Sequence, residues 1–91
     1  MAEQQRTVRF HGRVQGVGFR YTAYRLAGGF DVTGYVRNLA DGSVECVVEG
    51  EADEIDAFLT ALSDHMGGYI QRQTQQTAPA GGAFGSFDVR F

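Results

Sequence analysis

The sequence predicts a small α+β domain, a mostly antiparallel sheet with two helices on one face. Three observations carry this prediction. Apolar residues alternate with polar ones over residues 7–15 and 44–49, and residues 33–38 are rich in β-branched and aromatic side chains, which are strand patterns. Residues 19–28 and 52–66 switch to helical spacing, which marks amphipathic helices. The chain has 91 residues, 43% hydrophobic and 12% aromatic. That suits one domain just under the ~100–150-residue mode and is unlike a disordered composition.

Each element has its own justification. Residues 1–6 are polar and read as a flexible N-terminus, leaving a single domain over residues 7–91. In the first strand, Val8, Phe10 and Val14 share one parity with Gly12; Arg9, His11, Arg13 and Gln15 take the other. The first helix places Phe19, Ala23, Leu26 and Ala27 on one face, and Gly28-Gly29 stops it. The second strand, Thr33–Asn38, leads into Asp41-Gly42, a strong hairpin signal. The third strand puts Val44, Cys46 and Val48 on one side and Glu45 and Glu49 on the other. The second helix carries the stripe Ile55, Phe58, Leu59, Leu62 and Met66, with acidic residues at its start, where the helix dipole favours them. A weaker, glutamine-rich strand follows over Tyr69–Gln76, then a loop, "TAPAGGAFGS", holding the one proline. Phe87, Val89 and Phe91 alternate and predict a short last strand.

The order is β-α-β-β-α-β plus a short C-terminal strand. That is the ferredoxin-like split βαβ arrangement. In it the first two strands are parallel, joined by a right-handed crossover, with the third strand between them. Their C-terminal ends then share one edge of the sheet. Residues 15–20 leave the first end and Asn38 the second, so the two segments are predicted to meet.

Composition excludes several function classes. The net charge is −3, opposite in sign to the basic surplus of a nucleic-acid binder. All eight basic residues are arginines, which removes Schiff-base and Walker-type lysine chemistry. Cys46 is the one cysteine, so neither an internal disulfide nor a cysteine-rich zinc site is available. The start, "MAEQQRTVRF", has no apolar signal region, and no apolar run reaches the ~18–20 residues of a membrane span. A soluble, cytoplasmic monomer with neither nucleic acid nor membrane as partner is expected.

The stretch "GRVQGVGFRY", residues 12–21, is the candidate for chemistry. It takes a strand into a helix N-terminus, where backbone N–H groups lack intrahelical partners and the dipole adds positive character. Glycines at 16 and 18 permit backbone shapes that cradle an anion. Arg20 adds a planar charge suited to two phosphate oxygens. The stretch is neither a P-loop nor GxGxxG, since Tyr21 holds the third glycine position. On these residues alone two readings stand: an anion nest, or a tight β-to-α turn with a surface arginine.

Read together, "GRVQGVGFRY" and "TGYVRNLADGSVECVVEG" closely resemble the two signature segments of the acylphosphatase family, in order and spacing. The resemblance covers residues 7–66 well and the terminal "FGSFDVRF" acceptably. It implies hydrolysis of acyl phosphates to a carboxylate and inorganic phosphate, with a small-molecule substrate, no cofactor, no metal and no covalent enzyme intermediate. It implies a phosphate-binding loop on Gln15, Gly16, Val17, Gly18, Phe19 and Arg20, working through backbone amides. It puts the essential arginine on Arg20 and the essential asparagine, which positions the attacking water, on Asn38. Residues 68–83, "GYIQRQTQQTAPAGGA", depart from the family pattern: they are more polar and richer in glycine than its usual edge strand.

Two other functions compete. One is a non-enzymatic anion-binding module on the same fold. The other is a detached relative of the acylphosphatase-like domain of hydrogenase-maturation carbamoyltransferases, with carbamoyl phosphate as substrate. Arg20 together with Asn38 favours the enzyme, and a chain ending at residue 91 favours the stand-alone form. Remaining residues read as structural. His11 and His65 share no motif with a partner, and Cys46 lies among valines as an inert buried thiol. The carboxylates at 49–56 lack a calcium-loop pattern. Arg13 and Arg37 read as exposed strand arginines, and Tyr21, Tyr24 and Tyr35 are left unassigned between helix and sheet.

Overall fold

A computed structural model describes residues 3–91. In chain order the elements are β1 (Gln4–Gly12), α1 (Phe19–Ala27), β2 (Val32–Asn38), β3 (Val44–Gly50), α2 (Ala52–Met66), a single 3-10 turn (Gly67–Tyr69), β4 (Ile70–Pro79) and β5 (Phe87–Arg90). The five strands form one sheet in the order β4-β1-β3-β2-β5. β3 runs antiparallel to both β1 and β2, and β5 is parallel to β2. This is the ferredoxin-like arrangement read from the sequence, with the fifth strand added beside β2.

The core fills the space between the sheet and the two helices. Val8, Phe10, Val36, Val44, Cys46 and Val48 supply the sheet side; Phe19, Ala23, Ile55, Phe58 and Leu62 supply the helices. All of these follow the expected periodicities. Phe10 and Phe19 meet with ring centroids 5.0 Å apart, which ties α1 to β1 beside the glycine-rich turn.

Boundaries shift where pairing outweighs pattern. β1 begins at Gln4, because Gln4, Gln5 and Arg6 pair with Gly50, Glu49 and Val48 on one side and with Pro79, Ala78 and Thr77 on the other. The flexible start expected over residues 1–6 therefore does not extend to residues 4–6; residues 1 and 2 lie outside the described residues. β1 also stops at Gly12, where the register with β4 shifts, rather than reaching Gln15. Val14 is nonetheless buried, as its parity required.

β3 departs from simple alternation: all seven residues are buried. The helices cover one face. On the other, Glu45 accepts hydrogen bonds from Tyr35 Oη (3.1 Å) and Arg37 Nε (2.8 Å). Glu49 accepts from Gln5 Nε2 and from the amides of Gly81 and Gly82. A central strand with polar neighbours on both sides can bury carboxylates when donors satisfy them.

At the other extreme, every residue of β4 after Ile70 is exposed. β4 is held by its backbone ladder to β1, which runs through Thr77, Ala78 and Pro79, three residues beyond the strand expected to end at Gln76. The proline is tolerated because it closes an edge strand, where a missing N–H is least damaging.

Candidate active site

β1 and β2 point the same way, and Val44 of β3 pairs with Phe10 on one side and Asn38 on the other. The ends of β1 and β2 therefore lie about two strand spacings apart, roughly 10 Å, on one edge of the sheet. The glycine-rich turn leaves one end and Asn38 stands at the other. Arg20, Asn38, Gly16 and Gly18 line one cavity of about 420 Å³. That is within the roughly 300–1,000 Å³ of small-molecule sites.

The turn has the backbone its sequence requires. Gly16 (φ 77°) and Gly18 (φ 78°) are both left-handed, with open space where a Cβ would stand. Glycine is needed here for the dihedral, not for close packing. Gly18 is the N-cap of α1 and offers no side-chain cap; the first turn holds no acidic residue. The first intrahelical bond runs from Thr22 N–H to Gly18 O (3.0 Å). The amides of Phe19, Arg20 and Tyr21 precede it and have no i−4 partner in the helix. The positive end of α1 thus faces an open cavity, with no acidic side chain among the residues that line it. By contrast α2 starts with Asp53 and Glu54 in its first turn.

Arg20 is half-buried and held from two directions. Its Nη1 donates to the carbonyl of Arg90 (3.4 Å), and its guanidinium lies 4.7 Å from the Phe91 ring centroid. Gln15 and Val17 do not line the cavity. Gln15 Nε2 instead donates to the carbonyls of Leu39 (2.8 Å) and Ser43 (2.9 Å). It straps the glycine-rich turn to the loop that follows Asn38. Val17 packs half-buried against the core. Phe19 is a core residue whose edge reaches the cavity.

The cavity also contains residues to which the sequence gave no site role. Tyr21, Tyr24, Val89 and Phe91 complete its wall. Phe91 does not extend the β5 alternation: the strand ends at Arg90 and Phe91 as a whole residue is 99% exposed. The one signal for Tyr21 and Tyr24 was their spacing of three on α1, directly after Arg20. Arg37, Arg13, His11 and His65 lie outside the cavity; Arg37 is engaged by Glu45 at 2.8 Å. Cys46 is fully buried, and burial, reinforced by nearby Glu45, pushes its thiol up to about 12, which removes it as a nucleophile at neutral pH.

A family model described as acylphosphatase matches residues 6–89. A curated acylphosphatase of Syntrophotalea carbinolica is 43% identical over 90 residues, 92% of each chain. The crystal structure of an acylphosphatase from Bacillus subtilis superposes with a TM-score of 0.87 at 26% identity, over 97% of this chain and 99% of that one. The structure of T. kodakarensis HypF is similar too, with a TM-score of 0.82 and 33% identity over 97% of this chain but 12% of that one. Among the described residues no helix is long and apolar enough to cross a membrane. With a family match over residues 6–89, a relative 43% identical over 92% of each chain and a solved acylphosphatase of the same fold, the chain belongs to the acylphosphatase family, a family of hydrolases.

Proposed function

We infer that the cavity hydrolyses acyl phosphates by attack of water on phosphorus. The observation that carries this reading is that Arg20 and Asn38, eighteen residues apart in the chain, line one cavity with Gly16 and Gly18 at the positive end of α1. The amides of Gly16, Gly18, Phe19 and Arg20, with the Arg20 guanidinium, hold the phosphoryl oxygens. They gain strength as charge builds on those oxygens in the transition state. Asn38 is neutral and offers both a donor and an acceptor, so it orients the water rather than deprotonating it.

The substrate supplies the remaining chemistry. A carboxylate is a good leaving group and needs no general acid. The water oxygen forms a bond to phosphorus, the bond from phosphorus to the acyl oxygen breaks, and its electron pair leaves on the carboxylate. The proton of the water passes to a phosphoryl oxygen. Positioning and charge stabilisation are then sufficient.

Acetyl and benzoyl phosphate, offered without added metal, test this directly. Turnover is expected in wild type, and in ¹⁸O-water the label should enter phosphate and not the carboxylate. Arg20→Gln and Asn38→Ala should each lower kcat/KM by about 100-fold or more, the scale of losing one oriented stabilising group, with little change in Tm because neither side chain is in the core. A folded wild type that turns over neither substrate overturns the activity. Full activity in both variants overturns the assignment of residues.

A further inference from the structure

The described residues contain four strongly exposed large apolar side chains: Tyr21 (64%), Tyr24 (48%), Tyr69 (41%) and Phe91 (99%). Three of them, Tyr21, Tyr24 and Phe91, line the one cavity that holds Arg20 and Asn38. Isolated exposed aromatics need no explanation, but a cluster in a concave site marks a binding surface.

Its placement says what it would bind. Tyr21 and Tyr24 are three apart on α1, hence neighbours on the helix surface, and they follow Arg20 directly. From the other side the Phe91 ring stands 4.7 Å from the Arg20 guanidinium. The aromatic wall therefore begins at the group that grips phosphate. In an acyl phosphate the acyl carbon is one oxygen away from phosphorus, so a phosphate held by Arg20 delivers the acyl group to this wall. The charge pattern is equally informative. Arg20 is the one charged side chain among the residues lining the cavity. Once it is engaged by phosphate, a second anionic group on the substrate finds no cation there, and an unpaired charge against an apolar wall is unfavourable. A flat apolar group instead meets aromatic faces and edges, which stack favourably.

We propose that Tyr21, Tyr24 and Phe91 form an acyl subsite that selects uncharged, apolar acyl phosphates, aromatic ones above all, over small or carboxylate-bearing ones. This inference rests on the acyl-phosphate reading of the same cavity. Three substrates separate the two: benzoyl phosphate, acetyl phosphate, and succinyl phosphate, which carries a distal carboxylate. Each kcat/KM is divided by the spontaneous hydrolysis rate of the same compound, so that intrinsic reactivity cancels. The corrected value for benzoyl phosphate should exceed the other two by roughly tenfold or more, the discrimination typical of a hydrophobic pocket. Tyr24→Ala should bring the ratios within about threefold of unity, mainly by raising KM for benzoyl phosphate, whereas Tyr24→Phe, which keeps the ring, should retain the preference. Tyr24 is half exposed, so the alanine variant is expected to fold. Corrected ratios near unity in wild type overturn the subsite and leave the activity standing. So does a Tyr24→Ala variant that loses the same factor on all three substrates. A folded wild type inactive on all three overturns the acyl-phosphate reading itself, and the subsite with it.

Discussion

Gln15 illustrates how one side chain can matter without touching a ligand. Its amide donates to two carbonyls of the loop after Asn38, so it sets the distance between the glycine-rich turn and the asparagine. Gln15→Ala should lower stability by about 1 kcal/mol, the net value of such bonds, a fall of about 4–8 °C in Tm for a domain of this size. It should lower kcat/KM by roughly tenfold, since small displacements of aligned groups are expensive in rate. A melting curve paired with steady-state kinetics checks both; a stability loss with unchanged kinetics would separate the strap from catalysis. The glycine-rich turn itself was legible from residue types, because a left-handed dihedral at Gly16 and Gly18 is a local demand. The role of Gln15 was not, because its acceptors lie 24 and 28 residues away.

Among the elements, β2 and β4 sit at opposite ends of a scale of constraint. In β2, a Cβ built on Gly34 would stand 1.9 Å from the carbonyl oxygen of Val47 on the neighbouring strand, at φ 138°. Neither the dihedral nor the contact can relax without separating two central strands. Gly34→Ala should therefore destabilise by about 3 kcal/mol or more, at the severe end of single substitutions, measurable by urea denaturation. β4 is the reverse case. Its side chains are solvent-exposed after Ile70, so backbone pairing to β1 carries it and few apolar contacts resist local opening. Its amides should exchange with deuterium much faster than those of β3, whose seven residues are all buried. Equal protection in the two strands would show that β4 opens only with the whole sheet. The sequence pointed to β4 as weak from its glutamines. It missed the extension to Pro79 because that part of the strand has no apolar alternation and exists through pairing with Gln4, Gln5 and Arg6.

Across the whole molecule, the face of the sheet opposite the helices is closed by polar contacts. Glu49 of β3 takes donors from β1 (Gln5) and from the loop before β5 (Gly81 and Gly82). It thereby joins the centre of the sheet to the segment that leads to Arg90 and the cavity. Burial alone pushes the Glu49 carboxyl up, but the hydrogen bonds from Gly81, Gln5 and Gly82 outweigh it and hold the group below its ordinary value of 4.5. The sign follows from linkage: a carboxyl depressed in the folded state contributes stability above its unfolded value, and that contribution is lost as pH falls through the folded one. Glu49→Gln should cost about 1–3 kcal/mol at neutral pH, the scale of hydrogen bonds to a charged group. The gap between wild type and variant should narrow as pH falls from near 4.5. Denaturation midpoints from pH 7 down to acid conditions test it. A gap that stays constant over that range would mean that the charge of Glu49 contributes nothing.

Whatever depends on short-range pattern is written in the amino-acid order. Period-two stripes specify the first, third and last strands, β-branched and aromatic residues the second, and period-3.6 stripes the two helices; the positions of Gly16, Gly18, Arg20 and Asn38 follow from the ends of those elements. The chain reversals then bring residue 20 and residue 38 to one sheet edge, as the topology requires. What surrounds them is set by packing between distant segments. That packing buried both faces of β3 and aimed Gln15 away from the cavity. It also set Phe91, at the end of the edge strand β5, into the same cavity as Tyr21 and Tyr24. Those outcomes rest on contacts between residues far apart in the chain, where the partner across a ladder or a cavity, rather than local periodicity, sets the environment of a side chain.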